Sequence, residues 1–283
     1  MDYVELHTKH AVFTYLKSLE TNMISVDIEG EYNLHEYGEK VCLVQIYDGQ
    51  QLTIIDPFKV DTVALKKIFE NPRLLKVMYG ASSDLSVLKN GHDIECKSIL
   101  DLQPGVKLLG HTKLNLHVAL RECLGVELDD KKKFQKYNWT RRPIDAEAIT
   151  YALHDVKHLL DLKGMLFREL ATQGLLEQFF LENMMLQHKD YTRLPGQRLR
   201  KTRQFQTLSQ AGKQRFEKFF EIREQYAQKL NIPPHQLLGN HHLLAIASDP
   251  DEFEHATLSP KLRGAMANAF HQDVQSLVTM KAE

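Results

Sequence analysis

The amino-acid sequence predicts an α/β fold, a mixed sheet flanked by helices, followed by an all-α unit. Short β-rich runs lie in the first third of the chain, and helical patterns become more frequent after them. From about residue 162 onward the strand signals fade. Strands first and helices later are typical of a sheet that helices cover. The 283 residues allow one large domain or two unequal ones.

Four strands are predicted in this first part. Residues 24–29 alternate between apolar and polar side chains, which is the period of two expected for a strand. Three further β-rich runs predict strands over 41–47, 52–55 and 74–78.

Capping residues and apolar periodicity predict the first helices. They are 63–69 after Asp61, a helix capped by Ser82 or Ser83 that ends at Asn90-Gly91, and 113–123 before Gly125. Asp145 is predicted to cap a long helix, because an apolar stripe runs from Ile149 to Leu160.

A basic segment with a turn signal at Pro195-Gly196 separates this region from the last helices. We predict a first domain over 1–190, a basic linker over 191–206 and a helical domain over 207–283. Within the helical domain, Pro233-Pro234 predicts a break and Ser259-Pro260 predicts a helix start.

The composition is that of an ordinary globular protein, with 43% hydrophobic and 26% charged residues. No apolar run approaches the roughly 18 residues of a membrane span, and the N-terminus lacks the pattern of a secretory signal. We therefore expect a cytoplasmic protein. The formal net charge is −1, so nucleic-acid binding would depend on local basic patches. The three cysteines are widely spaced and match no zinc-finger pattern.

Two acids on the first predicted strand indicate a metal site. Asp27 and Glu29 are two residues apart, so their side chains share one face of the strand. Neighbouring carboxylates repel each other unless a cation lies between them, and hard oxygen ligands suit Mg²⁺ or Mn²⁺. The alternative is an edge strand with a solvated acidic face.

Three more residues become candidates through their places on predicted helices. Asp84 lies in a first helical turn, where an acid taken alone is better explained by a favourable interaction with the helix dipole. Tyr151 and Asp155 are four residues apart, so they share a helix face and could reach a pocket at the rim of the sheet. The alternative is a solvated pair beside the core.

Taken in order, these residues resemble the DEDD superfamily of 3′→5′ exonucleases, in the subgroup with tyrosine in the last motif. The resemblance rests on three segments, Asp27-Ile28-Glu29, Lys76 to Leu85 and Tyr151 to Val156. Asp101-Leu102-Gln103 and the stretch from Gln135 to Pro143 resemble the ribonuclease D family. The helical tail resembles a helicase-and-RNase-D C-terminal (HRDC) domain. The sequence departs from the family pattern at three positions that are not metal ligands, Gly30, Tyr79 and Asn138.

The resemblance implies a ribonuclease H-like fold and a 3′→5′ exoribonuclease that releases nucleoside 5′-monophosphates from single-stranded RNA 3′ ends. Transfer-RNA precursors or small RNAs are the implied substrates, and two divalent ions, Mg²⁺ or Mn²⁺, are the implied cofactors. By resemblance, Asp27 bridges both ions, Glu29 and Asp155 complete the first, and Asp84 holds the second. Tyr151 orients the attacking water.

Basic residues before the last motif are candidates for contacts with RNA phosphates, which bind without reading sequence. These residues are Lys131, Lys132, Lys133, Arg141 and Arg142. The alternative for each is a solvated surface. Two other functions stay open, a DNA 3′→5′ exonuclease of the same superfamily and a catalytically silent nucleic-acid-binding protein. The sequence identifies no protein partner.

Overall fold

A computed structural model describes residues 1–128, 134 and 136–278, which belong to two compact units. The first unit comprises Met1–Glu31 and Glu39–Thr192, and the second comprises Tyr32–Gly38 and Arg193–Glu283. Within the described ranges, no helix combines the length and apolarity that crossing a membrane requires.

The strands of the described residues form one six-stranded sheet. They are β1 (Val4–Leu6), β2 (Met23–Tyr32), β3 (Glu39–Tyr47), β4 (Leu52–Ile55), β5 (Leu75–Met78) and β6 (Ile99–Asp101). Their order in the sheet is β1-β4-β3-β2-β5-β6. β3 runs antiparallel to β4, whereas β5 is parallel to both β2 and β6. The sheet is therefore mixed, and the four predicted strands are confirmed.

Strand β2 lies inside the sheet, between β3 and β5. Its apolar residues Val26 and Ile28 are 0% and 5% exposed, which is what the alternation in the sequence requires of the face that packs on the core. The edge-strand alternative for Asp27 and Glu29 is therefore wrong.

Eight helices are described in the first unit. They are α1 (Lys9–Ser18), α2 (Thr62–Phe69), α3 (Ser82–His92), α4 (Gln103–Leu108), α5 (Leu116–Leu124), α6 (Ala146–Lys157), α7 (Leu159–Thr172) and α8 (Leu176–Gln187). As predicted, the Asp61 side chain caps α2, where it accepts from the backbone N–H of Ala64. The helix predicted from residue 113 begins later, because the Asn115 side chain caps α5 by accepting from the N–H of Val118.

The predicted ends of α3 are wrong. Its N-cap position is Ala81, where no side-chain cap is formed, and the helix ends at Asp93 in the left-handed region with φ +49°. Gly91 is helical, and a Cβ atom there would lie 2.5 Å from the carbonyl oxygen of Glu39. The glycine thus permits close approach of α3 to β3 and is not a terminating residue.

The long helix predicted from Asp145 is divided into α6 and α7 at His158, which ends the first helix. Asp145 occupies the N-cap position of α6 without forming a side-chain cap. The apolar stripe of α6 packs against the sheet in one buried cluster, which includes Leu43 of β3 together with Leu153 and Val156. This packing places α6 over β3, the neighbour of β2 in the sheet.

The second unit is helical. Its helices are α9 (Gln197–Arg200), α10 (Arg203–Gln206), α11 (Gln210–Leu230), α12 (Pro234–Leu237), α13 (Asn240–Ser248) and α14 (Ala265–Val278), with a 3-10 helix over Pro250–His255. The predicted break at Pro233-Pro234 is confirmed, since it separates α11 from α12. The helix start predicted at Ser259-Pro260 is wrong, because α14 begins at Ala265. The HRDC identity of this unit stays a prediction.

Candidate active site

Strand β2 and helix α6 bring three acidic side chains together. Asp27 and Glu29 of β2 and Asp155 of α6 each offer a carboxylate oxygen, and the three oxygens lie within 4.8 Å of one another. Asp27 and Glu29 are half-buried, and Asp155 is 9% exposed. The residues were predicted separately from the β2 alternation and from the Tyr-x-x-x-Asp spacing, and the fold makes them neighbours.

This cluster fits a divalent cation. All three donors are hard carboxylate oxygens of like charge, and such donors suit Mg²⁺ or Mn²⁺. Buried like charges so close together are unfavourable without a counter-charge. The donor set and its spacing therefore match the metal type that the sequence predicts.

Asp84 lies in the first turn of α3 and is 6% exposed. It is not one of the three residues whose oxygens cluster, although its charge raises the pKa of both Asp27 and Glu29. Ser83 Oγ donates to Asp84 Oδ1 at 3.4 Å. Asp84 therefore stands beside the cluster, and its binding of a second ion stays a prediction.

The pKa values reflect this crowding of carboxylates. Burial raises the pKa of Asp27 well above its usual range, and the charges of Asp84, Asp155 and Glu29 raise it further. The pKa of Glu29 is raised in the same way, by burial first and then by Asp155 and Asp84. Burial and the charge of Asp101 raise the pKa of Asp84 to about 8. A bound cation would relieve the repulsion that these shifts record.

Asp101, which ends β6, organises the loop before α3. Its buried carboxylate accepts from the backbone N–H groups of Gly80 at 2.8 Å, Ala81 at 2.9 Å and Gln103 at 2.9 Å. Gly80 has a φ of +67°, a conformation that favours glycine. Asp101 thereby fixes the backbone that leads to Asp84. The sequence marked this acid only through its family resemblance, although an acid closing a buried strand was a visible signal.

Ser25 ties α6 to the sheet. Its hydroxyl is 0% exposed and donates to the carbonyl oxygen of Val156 at 2.8 Å. Because Val156 directly follows Asp155, this bond holds the end of α6 that carries the carboxylate. Ser25 was not predicted, since a small polar residue on a strand has no local signature for such a role.

Tyr151 lies one helical turn before Asp155. Both residues line a pocket with a volume of about 270 Å³. The Tyr151 ring centroid is 5.1 Å from that of Phe134 and 5.9 Å from that of His117. The pocket is lined by residues from β2, the 79–80 loop, α4, the start of α5 and α6. They are Asp27, Tyr79, Gly80, Gln103, Leu114, Asn115, Leu116, His117, Tyr151 and Asp155.

His117 lines this pocket and is a further residue that the sequence did not predict. Its Nε2 atom lies 3.3 Å from Asp155 Oδ1. Burial raises the pKa of Asp155, and the hydrogen bond with His117 acts in the opposite direction. The approach of α5 to α6 brings the two residues together, so no local pattern could have indicated the contact.

The predicted phosphate contacts differ in their surroundings. Arg142 donates from Nε and Nη2 to the two carboxylate oxygens of Asp56, each at 2.8 Å, and from Nη1 to the carbonyl oxygen of Trp139 at 2.8 Å. This arrangement favours a structural role for Arg142 over a contact with phosphate. Arg141 is exposed. Lys131, Lys132 and Lys133 lie outside the described residues.

A mixed α/β sheet that holds an acidic cluster beside a helix-borne tyrosine has the arrangement of a DEDD 3′→5′ exonuclease domain of the RNase D and Rrp6 type. The sequence model of one family, described as 3′-5′ exonuclease, matches residues 3–171, which is more than half of the 283-residue chain. The chain belongs to this 3′-5′ exonuclease family.

Curated relatives carry two kinds of name. The chain is 29% identical over 250 residues to an exosome complex component 10 homolog from Caenorhabditis elegans. This match covers 86% of this chain and 28% of that protein. It is 34% identical over 137 residues to ribonuclease D from Haemophilus influenzae, covering 48% of this chain and 34% of that protein. The chain thus spans about a third or less of the length of these two relatives.

Two solved structures share the fold. One is Escherichia coli RNase D, described as an exoribonuclease involved in structured RNA processing, with a TM-score of 0.78 and 23% identity. The match covers 99% of this chain and 76% of that chain. The other is the catalytic core of RRP6 from Trypanosoma brucei, with a TM-score of 0.77, 23% identity and coverage of 99% and 81%.

Proposed function

We propose that this chain is a divalent-metal-dependent 3′→5′ exoribonuclease that shortens RNA from its 3′ end. The observation that carries the proposal is the clustering of Asp27, Glu29 and Asp155 in a pocket that Tyr151 also lines. In this proposal the three carboxylates hold one ion and Asp84 holds a second. When bound, such ions stabilise negative charge on the attacking and leaving oxygens of a phosphodiester.

The protein's own groups position the reaction. Tyr151 orients a water molecule for attack on the terminal phosphodiester, since it faces the pocket one helical turn from Asp155. The water gives up a proton to solvent as its oxygen forms a bond to phosphorus, while the bond from phosphorus to the departing 3′ oxygen breaks and that oxygen takes up a proton from solvent. A nucleoside 5′-monophosphate leaves, and the shortened RNA keeps a 3′ hydroxyl. Ser25 and Asp101 hold the backbone beside Asp155 and Asp84.

Two observations support RNA as the substrate. Two curated relatives of the chain are named exosome complex component 10 homolog and ribonuclease D, and the E. coli RNase D structure is described as an exoribonuclease involved in structured RNA processing. We propose transfer-RNA precursors or small RNAs in the cytoplasm as substrates. Arg141 and the lysines at 131–133 remain the proposed phosphate contacts.

A matched pair of single strands tests the proposal. A 5′-labelled RNA and a DNA of the same sequence are incubated with the chain in Mg²⁺, Mn²⁺ or chelator, and a transfer-RNA precursor with an extended 3′ end is included. We expect a ladder of shortened RNA and free 5′-monophosphates only when the metal is present. Asp155→Asn should abolish both products while the fold is retained.

Each result has a separate meaning. Faster shortening of DNA than of RNA would contradict the RNA assignment and favour a DNA exonuclease. Binding without release of nucleotides would favour a silent nucleic-acid-binding protein. Full turnover in the chelator or in Asp155→Asn would contradict the metal-dependent mechanism itself.

A further inference from the structure

His117 contacts both functional residues of α6. Its Nε2 atom lies 3.3 Å from Asp155 Oδ1, and its ring centroid lies 5.9 Å from that of Tyr151. The His117 side chain is 18% exposed and lines the same pocket as the carboxylates. A single side chain of α5 therefore contacts both Asp155, a member of the acidic cluster, and Tyr151, which orients the attacking water in the proposed mechanism.

The backbone that carries His117 is fixed from several sides. The Asn115 side chain accepts from the N–H of Val118 at 2.8 Å and so caps α5. The preceding carbonyl group, that of Leu114, accepts from the Tyr79 hydroxyl at 3.1 Å and from Gln103 Nε2 at 3.1 Å. These bonds hold the first turn of α5, so His117 is presented from a rigid support.

An N–H group directed at one carboxylate oxygen restricts rotation of the whole carboxylate. A carboxylate restricted in this way keeps its remaining lone pairs in a constant direction, and hydrogen bonds of this kind raise the metal affinity of a site. The ring packing on Tyr151 restricts the neighbouring side chain at the same time. In the proposed function Asp155 contacts the metal ion and Tyr151 contacts the attacking water, whereas His117 acts only by holding these two side chains in place.

We propose that His117 is a positioning residue that orients Asp155 for divalent-cation binding through its Nε2–H group. This inference rests on the proposed function and deepens it. Glutamine can place a donor at the reach of His Nε2, and phenylalanine keeps the ring without the donor. The variants His117→Gln and His117→Phe therefore separate the hydrogen bond from packing.

The test measures Mn²⁺ binding directly, by the loss of the free-ion electron paramagnetic resonance signal on titration of protein into Mn²⁺ at constant pH. We expect His117→Phe to weaken Mn²⁺ binding by about 10–100-fold and His117→Gln to stay close to wild type. The control is His111→Phe, a half-buried histidine that contacts Glu122 at 2.8 Å, and it should bind Mn²⁺ like wild type. Thermal unfolding in chelator shows whether each variant folds.

The outcomes distinguish this inference from the proposed function. A folded His117→Phe chain with wild-type Mn²⁺ affinity would overturn the role of His117 and leave the exonuclease proposal intact. Equal loss of affinity in His117→Gln and His117→Phe would also overturn it, because the donor would then have no part. A wild-type chain that binds Mn²⁺ but releases no nucleotide would overturn the proposed function, while the His117 comparison would stand.

Discussion

Replacing Asp27 with asparagine should make the metal-free protein more stable while removing its response to metal. Asp27 lies among carboxylates whose oxygens approach within 4.8 Å, and burial together with those charges raises its pKa well above the usual range. Asparagine has nearly the same shape and no charge. The substitution therefore removes repulsion without creating a cavity.

The distance between the carboxylate oxygens determines how much the Asp27→Asn substitution should stabilise the metal-free protein. Two unit charges 4.8 Å apart repel by roughly 3.5 kcal/mol at an effective dielectric constant of about 20. Protonation relieves part of this repulsion, since the pKa values of Asp27 and Glu29 are raised. We expect the Asp27→Asn chain in chelator to unfold with a free energy higher by about 2 kcal/mol, or a Tm higher by roughly 4–8 °C.

Thermal unfolding with chelator and with excess Mn²⁺ provides the assay. Mn²⁺ should raise the Tm of wild type, because a ligand that binds only the folded state stabilises it, and this rise should be absent in Asp27→Asn. The control is Asp145→Asn, an exposed acid at the start of α6 that forms no side-chain cap. A lower metal-free Tm for Asp27→Asn, or an undiminished Mn²⁺ effect, would refute the reasoning.

Three further predictions concern neighbouring groups. Tyr151→Phe should slow RNA hydrolysis by about 100-fold or more and leave the Mn²⁺ affinity unchanged. The labelled-RNA assay and the Mn²⁺ titration measure these two quantities, and an equal loss of rate and affinity would contradict the role of Tyr151 in orienting water. Asp101→Asn should lower the free energy of unfolding by about 1–3 kcal/mol, because three backbone N–H groups lose a carboxylate acceptor, and an unchanged denaturation midpoint would oppose this. Burial raises the pKa of Asp56, but the hydrogen bonds from Arg142 and a backbone N–H outweigh it and lower that pKa. Arg142→Met should therefore lower the free energy of unfolding by about 2–4 kcal/mol at neutral pH, and this loss should shrink as pH falls below about 4. Denaturation at neutral pH and below about pH 4 measures the loss, with the exposed Arg141→Met as control. A loss that does not depend on pH would contradict the prediction.

Part of the fold and of the site follows from local sequence. The alternation over 24–29 predicted β2 and the shared face of Asp27 and Glu29, because a strand that packs one face on a core must alternate. The spacing of Tyr151 and Asp155 predicted a shared helix face, and Asp61 predicted the cap of α2. Each of these depends on residues within one helical turn or one strand.

Other features depend on contacts between distant segments. β1 and β6 have three residues each, so neither is long enough to show a period, and the sheet defines them through pairing. Gly91 looked like a helix end, yet its place is set by the nearby carbonyl group of Glu39. The contact of His117 with Asp155 spans 38 residues of sequence, and the Ser25 contact with Val156 spans 131. No local pattern encodes such pairs.

The central claim is that Asp27, Glu29 and Asp155 form a binding site for a divalent cation. A crystal of the chain soaked in Mn²⁺ and measured at the manganese absorption edge tests it directly. We expect an anomalous peak within coordination distance of oxygens from all three residues, about 2.0–2.3 Å as for small divalent ions with oxygen ligands. A fully soaked crystal with no peak there, or with its peak elsewhere on the chain, would contradict the claim.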